Sequence, residues 1–212
     1  SSAASDVYKR QIYGASWTDG KFKKALSFDG NNDYVNCGND DSLNFTDAIS
    51  VEVWIKPNNY SDNNVIVHKR CCSKSPYYTW ALRLRKNGGF SYEVCNSTTE
   101  LYATTTYNLG SDWHHVVGTF DGNKIKLYIN GDLKDEVSYS GSPPLGNYPV
   151  EIGRWNGGVY YINAIIDEVR IYNNTLSSEE ITDLYNNYGY TTENYPGKVL
   201  VRKYVDPEPS FS

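Results

Sequence analysis

The segment from Asp112 to Leu133, DWHHVVGTFDGNKIKLYINGDL, contains the pattern that most restricts the fold. Apolar residues occupy every second position from Lys124 to Ile129, and the turn pairs Asp121-Gly122 and Asn130-Gly131 bound this stretch. Asp-Gly and Asn-Gly tolerate the positive φ angles of tight hairpin turns, which match the twist of the flanking strands. The segment therefore predicts an antiparallel β-meander with one buried face.

Other short strands, separated by turn residues, are predicted along the chain. Ser50 to Lys56 is the clearest, because Val51, Val53 and Ile55 alternate with Glu52, Trp54 and Lys56, and Pro57 ends the run. About a dozen strands with turn signals every 8–12 residues or so are typical of an all-β sandwich or barrel. The further predicted strands are Ala25–Phe28, Tyr34–Cys37, Asn64–Arg70, Tyr78–Arg85, Phe90–Cys95, Glu100–Thr104, His115–Phe120, Val137–Tyr139, Val150–Arg154 and Ala164–Tyr172.

A single short helix is predicted near the C-terminal end. Ser177 or Ser178 can cap it, and Glu180 completes a capping box with Ser177. Gly189 is expected to end the helix. Its apolar stripe is Ile181, Leu184 and Tyr185.

The domain is predicted to span residues 12–190. Residues 1–11, SSAASDVYKRQ, have no apolar core of a signal peptide and are expected to be a non-native or disordered leader. Residues 191–212 contain Pro196, Pro207 and Pro209 and are expected to be a linker or the start of a further region. A chain without methionine is expected to be a mature product or a fragment.

Charge and hydropathy argue against a nucleic-acid partner and against a membrane-spanning segment. The 20 Lys and Arg residues against 25 Asp and Glu give a net charge of −5, which argues against a nucleic-acid surface. No apolar run approaches the roughly 18 residues that a membrane-spanning helix needs. The 20 tyrosines and 5 tryptophans suit both β-strands and ligand stacking.

Five segments in order resemble one known family. They are ALSFDGNNDYV, SVEVWIKP, WHHVVGTFDGNKIKLYINGDL, EIGR and IIDEVRIYNNTLSSEEITDLYN. Together they cover roughly Lys24 to Tyr188 and are similar to laminin G-like domains of the concanavalin A-like lectin/glucanase superfamily, in the pentraxin-related group. The resemblance implies a jelly-roll sandwich of two curved antiparallel sheets with one short C-terminal helix, as a module of a larger secreted or surface protein.

The turn Asp29-Gly30-Asn31-Asn32-Asp33 is rich in oxygen donors, which Ca²⁺ prefers. Asp and Asn are also common in hairpin turns for conformational reasons, so the turn alone leaves both interpretations open. The resemblance implies that Asp167 in IDEVRIY approaches this turn. The predicted ligands of a structural Ca²⁺ are therefore Asp29, Asn31, Asp33 and Asp167.

Catalysis is not predicted. Retaining glycosidases of the superfamily carry their acids on one face of one strand, whereas Asp167 and Glu168 are adjacent and point to opposite faces. Glu151 lacks a second acid in its own strand. His114 and His115 belong to the family's W-H-H-V strand and are expected to be structural, and His68 has no catalytic partner nearby in sequence.

Ligand binding is predicted to involve aromatic stacking, because sugars present apolar C–H faces ringed by hydroxyl groups. GRWNGGVYY, from Gly153 to Tyr161, combines aromatic rings with an amide and glycines that allow close approach to the backbone. The alternative is that these rings only cover the sheets. The predicted ligand-binding residues are Trp155, Asn156, Tyr160 and Tyr161.

The four cysteines suit an exported protein with one or two disulfides. Adjacent cysteines rarely bond each other, so one of Cys71 and Cys72 is expected to join Cys95, which leaves Cys37 for the other. Four Asn-x-Ser/Thr sequons, beginning at Asn44, Asn59, Asn96 and Asn173, fit the same setting with little weight.

The sequence therefore predicts a noncatalytic carbohydrate-binding or adhesion module of an extracellular or cell-surface protein, with a structural calcium site. The partner would be a carbohydrate or glycoconjugate. The alternatives are a protein–protein or architectural module that contacts another surface protein and, third, a glycoside hydrolase with unrecognised acids.

Overall fold

The computed structural model describes residues 11–45, 47–60, 64–72, 78–96, 98–106, 108–155 and 159–186. These residues form two seven-stranded antiparallel sheets, which confirms the predicted all-β sandwich. The predicted linker 191–212, Gly189 and most of the predicted leader lie outside the described residues. Gln11 is an exception, since it begins the first strand.

The first sheet contains the first strand of the chain and four strands that are consecutive in sequence. In spatial order it consists of β1 (Gln11–Tyr13), β4 (Tyr34–Asn36), β13 (Val150–Ile152), β6 (Asn64–Arg70), β7 (Tyr78–Leu84), β8 (Phe90–Cys95) and β9 (Glu100–Thr104).

The second sheet contains the predicted meander. In spatial order it consists of β12 (Asp132–Ser138), β11 (Lys124–Ile129), β10 (His114–Phe120), β5 (Ile49–Pro57), β14 (Asn163–Tyr172), β3 (Lys24–Asp29) and β2 (Ser16–Asp19). A short 3₁₀ helix spans Asp41–Leu43, and helix α1 spans Ser178–Asn186. Ser177 caps α1, because its Oγ accepts a hydrogen bond from Glu180 N and the Glu180 carboxylate accepts one from Ser177 N.

The meander forms as its turn residues predict. Gly118 of β10 pairs with Leu127 of β11, and β11 then pairs with β12. Asn130 and Gly131 adopt φ angles of 54° and 85°, the conformation that favours Asn-Gly at this turn.

The space between the sheets is filled by the apolar residues that the alternation places on one side. Val53, Leu127 and Ile129 are at most 1% exposed. β3 lies beside β14, so Phe28 pairs with Ala164 and both enter the same core. The predicted common interior is therefore present.

The outer face of the second sheet is also covered, which the sequence did not predict. Trp54 of β5 is buried, with its ring against Phe22 at 5.4 Å and Tyr185 of α1 at 5.8 Å between centroids. Ile181 and Leu184 of α1 pack on the same side, in a cluster with residues of β10, β11 and β14. The helix and the segment before β3 therefore cover this face.

Glu52 is the centre of a buried polar network on that covered face. Its Oε1 lies 3.0 Å from His115 Nε2 and 3.1 Å from Arg170 Nη1, and its Oε2 accepts a 2.5 Å hydrogen bond from Tyr172. Burial alone would raise the pKa of Glu52, but Arg170, His115 and Tyr172 together lower it to about 2. His115 thus has a structural partner.

A test of the packing between the sheets is Gly118→Ala. A Cβ at Gly118 would lie 2.1 Å from Cγ of the buried Tyr92 ring, so the two sheets would have to move apart. Overpacking of this kind costs about 1–3 kcal/mol of unfolding free energy. Urea denaturation should show the loss, whereas Ser138→Ala on the exposed edge strand β12 should not change the midpoint. An unchanged midpoint for Gly118→Ala would contradict the described packing.

Candidate functional site

Three of the predicted calcium ligands lie in one turn between β3 and β4. Asp29 Oδ1 accepts a hydrogen bond from Asn31 N at 2.8 Å, and Asp33 Oδ2 accepts one from Asp29 N at 2.9 Å. Burial raises the pKa of Asp33, whose side chain lies below the turn. These contacts define the turn and place two carboxylates and one amide close together.

Asp167 does not join that turn. β14 pairs with β3 so that Asn163 is opposite Asp29, and Asp167 lies four residues further along β14, a distance of about 13 Å. Its Oδ2 instead accepts a 2.9 Å hydrogen bond from Phe22 N. In the part of the chain that the structure describes, no cluster of three or more His, Cys, Asp or Glu side chains could hold a metal ion. The four predicted ligands therefore do not form one set.

The cysteines lie near the first sheet. Cys71 and Cys72 directly follow β6, and their Sγ atoms are 2.7 Å apart. Cys95 ends β8, and Cys37 directly follows β4. The pairing of one of Cys71 and Cys72 with Cys95, and of the other with Cys37, remains a prediction.

The outer face of the first sheet, which points away from the second sheet, carries a row of mainly polar side chains. Trp80, Leu82 and Val94 point into the core, so the residues between them in β7 and β8 point outward. The register places one outward residue of each strand side by side. In order across the sheet this row is Glu151, His68, Ala81, Glu93 and Tyr102.

Trp155 lies on this face. Gly153 has a φ angle of 89° directly after β13, and the chain then continues to Trp155 in the segment that leads to β14. The Trp155 ring stacks on His68 with centroids 4.9 Å apart, and Tyr78 meets it edge-on at 5.4 Å. Arg83 Cζ lies 4.8 Å from the same ring. The predicted Trp155 is therefore part of a mixed aromatic and cationic cluster.

Two carboxylates on the outer face are held by arginines. Glu93 lies 2.9 Å from Arg83 Nε and 3.1 Å from Arg85 Nη1. Glu151 lies 2.7 Å from Arg154 Nη2. Such charge-assisted contacts fix the guanidinium planes, which is what directional recognition of a polar ligand needs.

Aromatic rings extend the cluster toward the edge of the sheet. The guanidinium of Arg154 lies over the Tyr34 ring at 3.3 Å, and Tyr34 stacks on Tyr13 with centroids 4.3 Å apart. Tyr13 is exposed. A second group of rings, with Arg154 over Tyr34, therefore leads to solvent, and Arg154 is close enough to His68 to act on its pKa.

His68 is the buried centre of the cluster. It is 0% exposed, and its ring nitrogens make no hydrogen bond of normal geometry to the described residues, although the Glu151 backbone lies close enough to act on its pKa. Burial, reinforced by the positive charges of Arg83, Arg70 and Arg154, lowers the pKa of His68 to about 3. At neutral pH it is therefore an uncharged imidazole with one donor and one acceptor. Glu151 Oε2 and Arg154 Nε are also buried and make no such hydrogen bond.

The other predicted binding residues differ in position. Tyr160 is 50% exposed, with a φ angle of 56°, and Tyr161 is partly buried beside Arg154. Asn156 lies outside the described residues. Trp155 and Tyr161 thus lie near the outward cluster, while Tyr160 faces solvent.

Most residues of the cluster were not predicted from the sequence. His68, Arg83 and Glu93 come from three different strands, and only strand register brings them together. A signal was present, because Arg83 and Arg85 occupy alternate positions of YTWALRLR and Ser91 and Glu93 do so in FSYEVC. Polar alternation in neighbouring strands predicts a shared polar face.

A family model described as the concanavalin A-like lectin/glucanases superfamily, of the laminin G type, matches residues 29–182. The chain belongs to this superfamily. No curated protein sequence matches the chain significantly. No helix in the described part of the chain is long and apolar enough to cross a membrane.

Solved structures with the same fold include toxin binding domains. The binding domain of Paraclostridial Mosquitocidal Protein 1 has a TM-score of 0.71 and 20% identity, and covers 85% of this chain and 48% of its own. The botulinum neurotoxin serotype G binding domain has a TM-score of 0.69 and 14% identity, and covers 87% of this chain and 48% of its own. This chain therefore spans about half the length of these domains.

A third similar structure is domain 4 of AbnA, an extracellular GH43 arabinanase from Geobacillus stearothermophilus, in complex with arabinotriose. It has a TM-score of 0.67 and 20% identity, and covers 83% of this chain and 87% of its own. At these identities the three structures establish the shared lectin-like fold.

The lowered pKa of His68 predicts a pH dependence of stability. The folded pKa of about 3 is below the ordinary 6.5, so the unfolded chain takes up a proton at higher pH than the folded chain. Above about pH 6.5, His68 is neutral in both the folded and the unfolded chain and does not make stability depend on pH. Below that pH, the free energy of unfolding falls by up to about 1.4 kcal/mol per pH unit as the pH approaches 3.

Urea denaturation of wild type and His68→Gln at pH 7, 6 and 5 measures this effect. Wild type should lose stability more steeply over this range, since Gln does not titrate. Parallel pH profiles would contradict the neutral, buried assignment of His68.

Proposed function

We propose that the protein is a noncatalytic carbohydrate-binding module of an extracellular or cell-surface protein, and that it binds glycans on the outer face of the first sheet. The main support is the Trp155 cluster. An aromatic ring held against His68, next to Arg83 and ion-paired carboxylates, combines a stacking surface with directional hydrogen-bond groups. Carbohydrate sites use this combination.

The positions of the two buried acids support binding over hydrolysis. Glu93 and Glu151 share the outer face but are three strand spacings apart, about 14 Å between backbones. Glycosidase carboxyl groups lie about 5–5.5 Å apart in retaining enzymes and about 6.5–9.5 Å apart in inverting ones. Both glutamates are also neutralised by arginines. This geometry suits acids that hold the neighbouring arginine side chains in place.

The similar structures support a binding role. One is a domain of an arabinanase in complex with arabinotriose, and the others are toxin binding domains. We extend only the general role to this chain, as part of the proposal. The four cysteines and four sequons support the extracellular setting.

Affinity electrophoresis in gels that contain arabinan, xylan, dextran or polygalacturonate tests the proposal. Wild type should be retarded by at least one polymer, and Trp155→Ala should weaken that retardation about tenfold or more, since each factor of ten corresponds to about 1.4 kcal/mol. The matched control is Trp17→Ala, because Trp17 is 42% exposed on the edge strand β2 of the other sheet.

Thermal denaturation of both variants separates loss of binding from loss of folding. If no carbohydrate retards the wild type, or if a folded Trp155→Ala binds as wild type does, the proposed glycan site is wrong. Capture of a surface protein with no glycan binding would favour the protein–protein alternative.

We also propose a structural Ca²⁺ site, confined to the turn that contains Asp29, Asn31 and Asp33. These residues supply the hard oxygen donors that Ca²⁺ prefers, and neighbouring carbonyl groups can add to the coordination. Asp167 is omitted, because its carboxylate accepts the Phe22 N–H well away from the turn.

Melting with and without a chelator tests this site. At 100 times its dissociation constant, an ion that binds only the folded state stabilises it by about 2.7 kcal/mol. Chelation should lower the melting temperature of the wild type, and Asp29→Ala should lose that response. Asp167→Asn should be less stable but retain the response to chelator. If chelator does not change the melting temperature of the wild type, the proposed Ca²⁺ site is wrong.

A further inference from the structure

Arginine is concentrated on one face of the molecule. Five arginines lie in the described residues, and four of them, Arg70, Arg83, Arg85 and Arg154, are on the outer face of the first sheet. The fifth, Arg170, is buried in the second sheet with Glu52. This distribution is unexpected in a chain with a net charge of −5, because it gives the Trp155 cluster a local positive charge.

The carboxylates on this face do not balance the arginines. Glu93 is shared by Arg83 and Arg85, and Glu151 pairs with Arg154. Glu100 is a third acid, exposed on the edge strand β9. Among the described residues, this face therefore has four guanidinium groups and three carboxylates, and one of the carboxylates lies at the edge of the sheet.

Arg70 is the arginine of this face that forms no ion pair with a described carboxylate. Its Nε donates a 2.9 Å hydrogen bond to Cys72 O, and its guanidinium lies 4.5 Å from the centroid of the Tyr148 ring. No carboxylate in the described part of the chain pairs with it. Arg70 is opposite Tyr78 in the sheet, and the Tyr78 ring contacts Trp155. Arg70 is therefore paired in the sheet with a residue of the Trp155 cluster.

The guanidinium groups of this face suit an anionic ligand. His68 is uncharged and fully buried against Trp155, so it neither attracts nor repels a charged ligand. A guanidinium presents planar N–H groups that match the two oxygens of a carboxylate or two oxygens of a sulfate. Neutral sugars need no such local excess of positive charge.

We infer that the outer face of the first sheet binds an acidic glycan, with a carboxylate or sulfate oxyanion held by Arg70 and the sugar ring placed at Trp155. This inference rests on the proposed function and adds the class of carbohydrate to it. Carboxylate and sulfate share the recognised chemistry, and the experiment separates them.

Two matched pairs of polymers distinguish charge from sugar. Polygalacturonate is compared with its methyl ester, and dextran sulfate with dextran, by affinity electrophoresis or biolayer interferometry. The acidic member of at least one pair should bind about tenfold tighter or more, and its binding should weaken as salt is raised from about 0.05 to about 0.5 M. The pair that responds identifies carboxylate or sulfate.

Arg70→Gln should reduce binding of the acidic polymer about tenfold, without leaving a buried carboxylate unpaired. Arg70→Lys keeps the charge but loses the planar fork, so it should restore only part of the affinity. Lys134→Gln on the edge strand of the second sheet removes the same charge from a different surface and should bind as wild type does.

Each other outcome overturns the inference in a distinguishable way. If both members of each pair bind equally and Trp155→Ala abolishes that binding, the glycan site stands and its preference for acidic sugars is wrong. If Lys134→Gln weakens binding as much as Arg70→Gln, the attraction is general electrostatics and Arg70 is not a specific contact. If no polymer binds the wild type, the inference and the proposed function both fail.

Discussion

The dry interior between the two sheets is the constraint on which the rest of the structure depends. Residues such as Val53, Leu82 and Leu127 fill it, and strand alternation then directs their neighbours outward. Charged residues of the central strands therefore have only the two outer faces available. Burying an ionised group without a partner would cost several kcal/mol, so charges on a covered part of an outer face have to be paired, and the others have to stay hydrated.

The two outer faces meet this requirement differently. On the second sheet, helix α1 and the segment before β3 cover Trp54, and Glu52 receives contacts from His115, Arg170 and Tyr172. On the first sheet, the guanidinium of Arg154 lies over Tyr34, and Tyr34 stacks on the exposed Tyr13. The face of the second sheet is therefore enclosed, whereas the cluster on the first sheet reaches solvent, and we propose that the ligand binds there.

Local patterns were predictable from the sequence, and features set by register or by distant packing were not. The meander and the capping box of α1 depend on residues within a few positions of one another, so alternation, Asn130-Gly131 and Ser177 were sufficient. The burial of Trp54 depends on Tyr185, more than 130 residues away in sequence. The distance from Asp29 to Asp167 depends on the register of β14 against β3, and an offset of four residues separates a shared site from two unrelated ones.

The net charge of −5 makes an acidic ligand appear unfavourable until the range of electrostatic forces is considered. At physiological ionic strength charges are screened over about 8 Å, so a ligand at Trp155 responds mainly to the side chains beside it rather than to the whole chain. Those side chains include Arg70, Arg83 and Arg154, each close enough to His68 to lower its pKa. The same acidic background disfavours polyanions on the rest of the surface. Local arginines in an acidic protein therefore give positional specificity, since an acidic sugar is attracted to one face and repelled from the others.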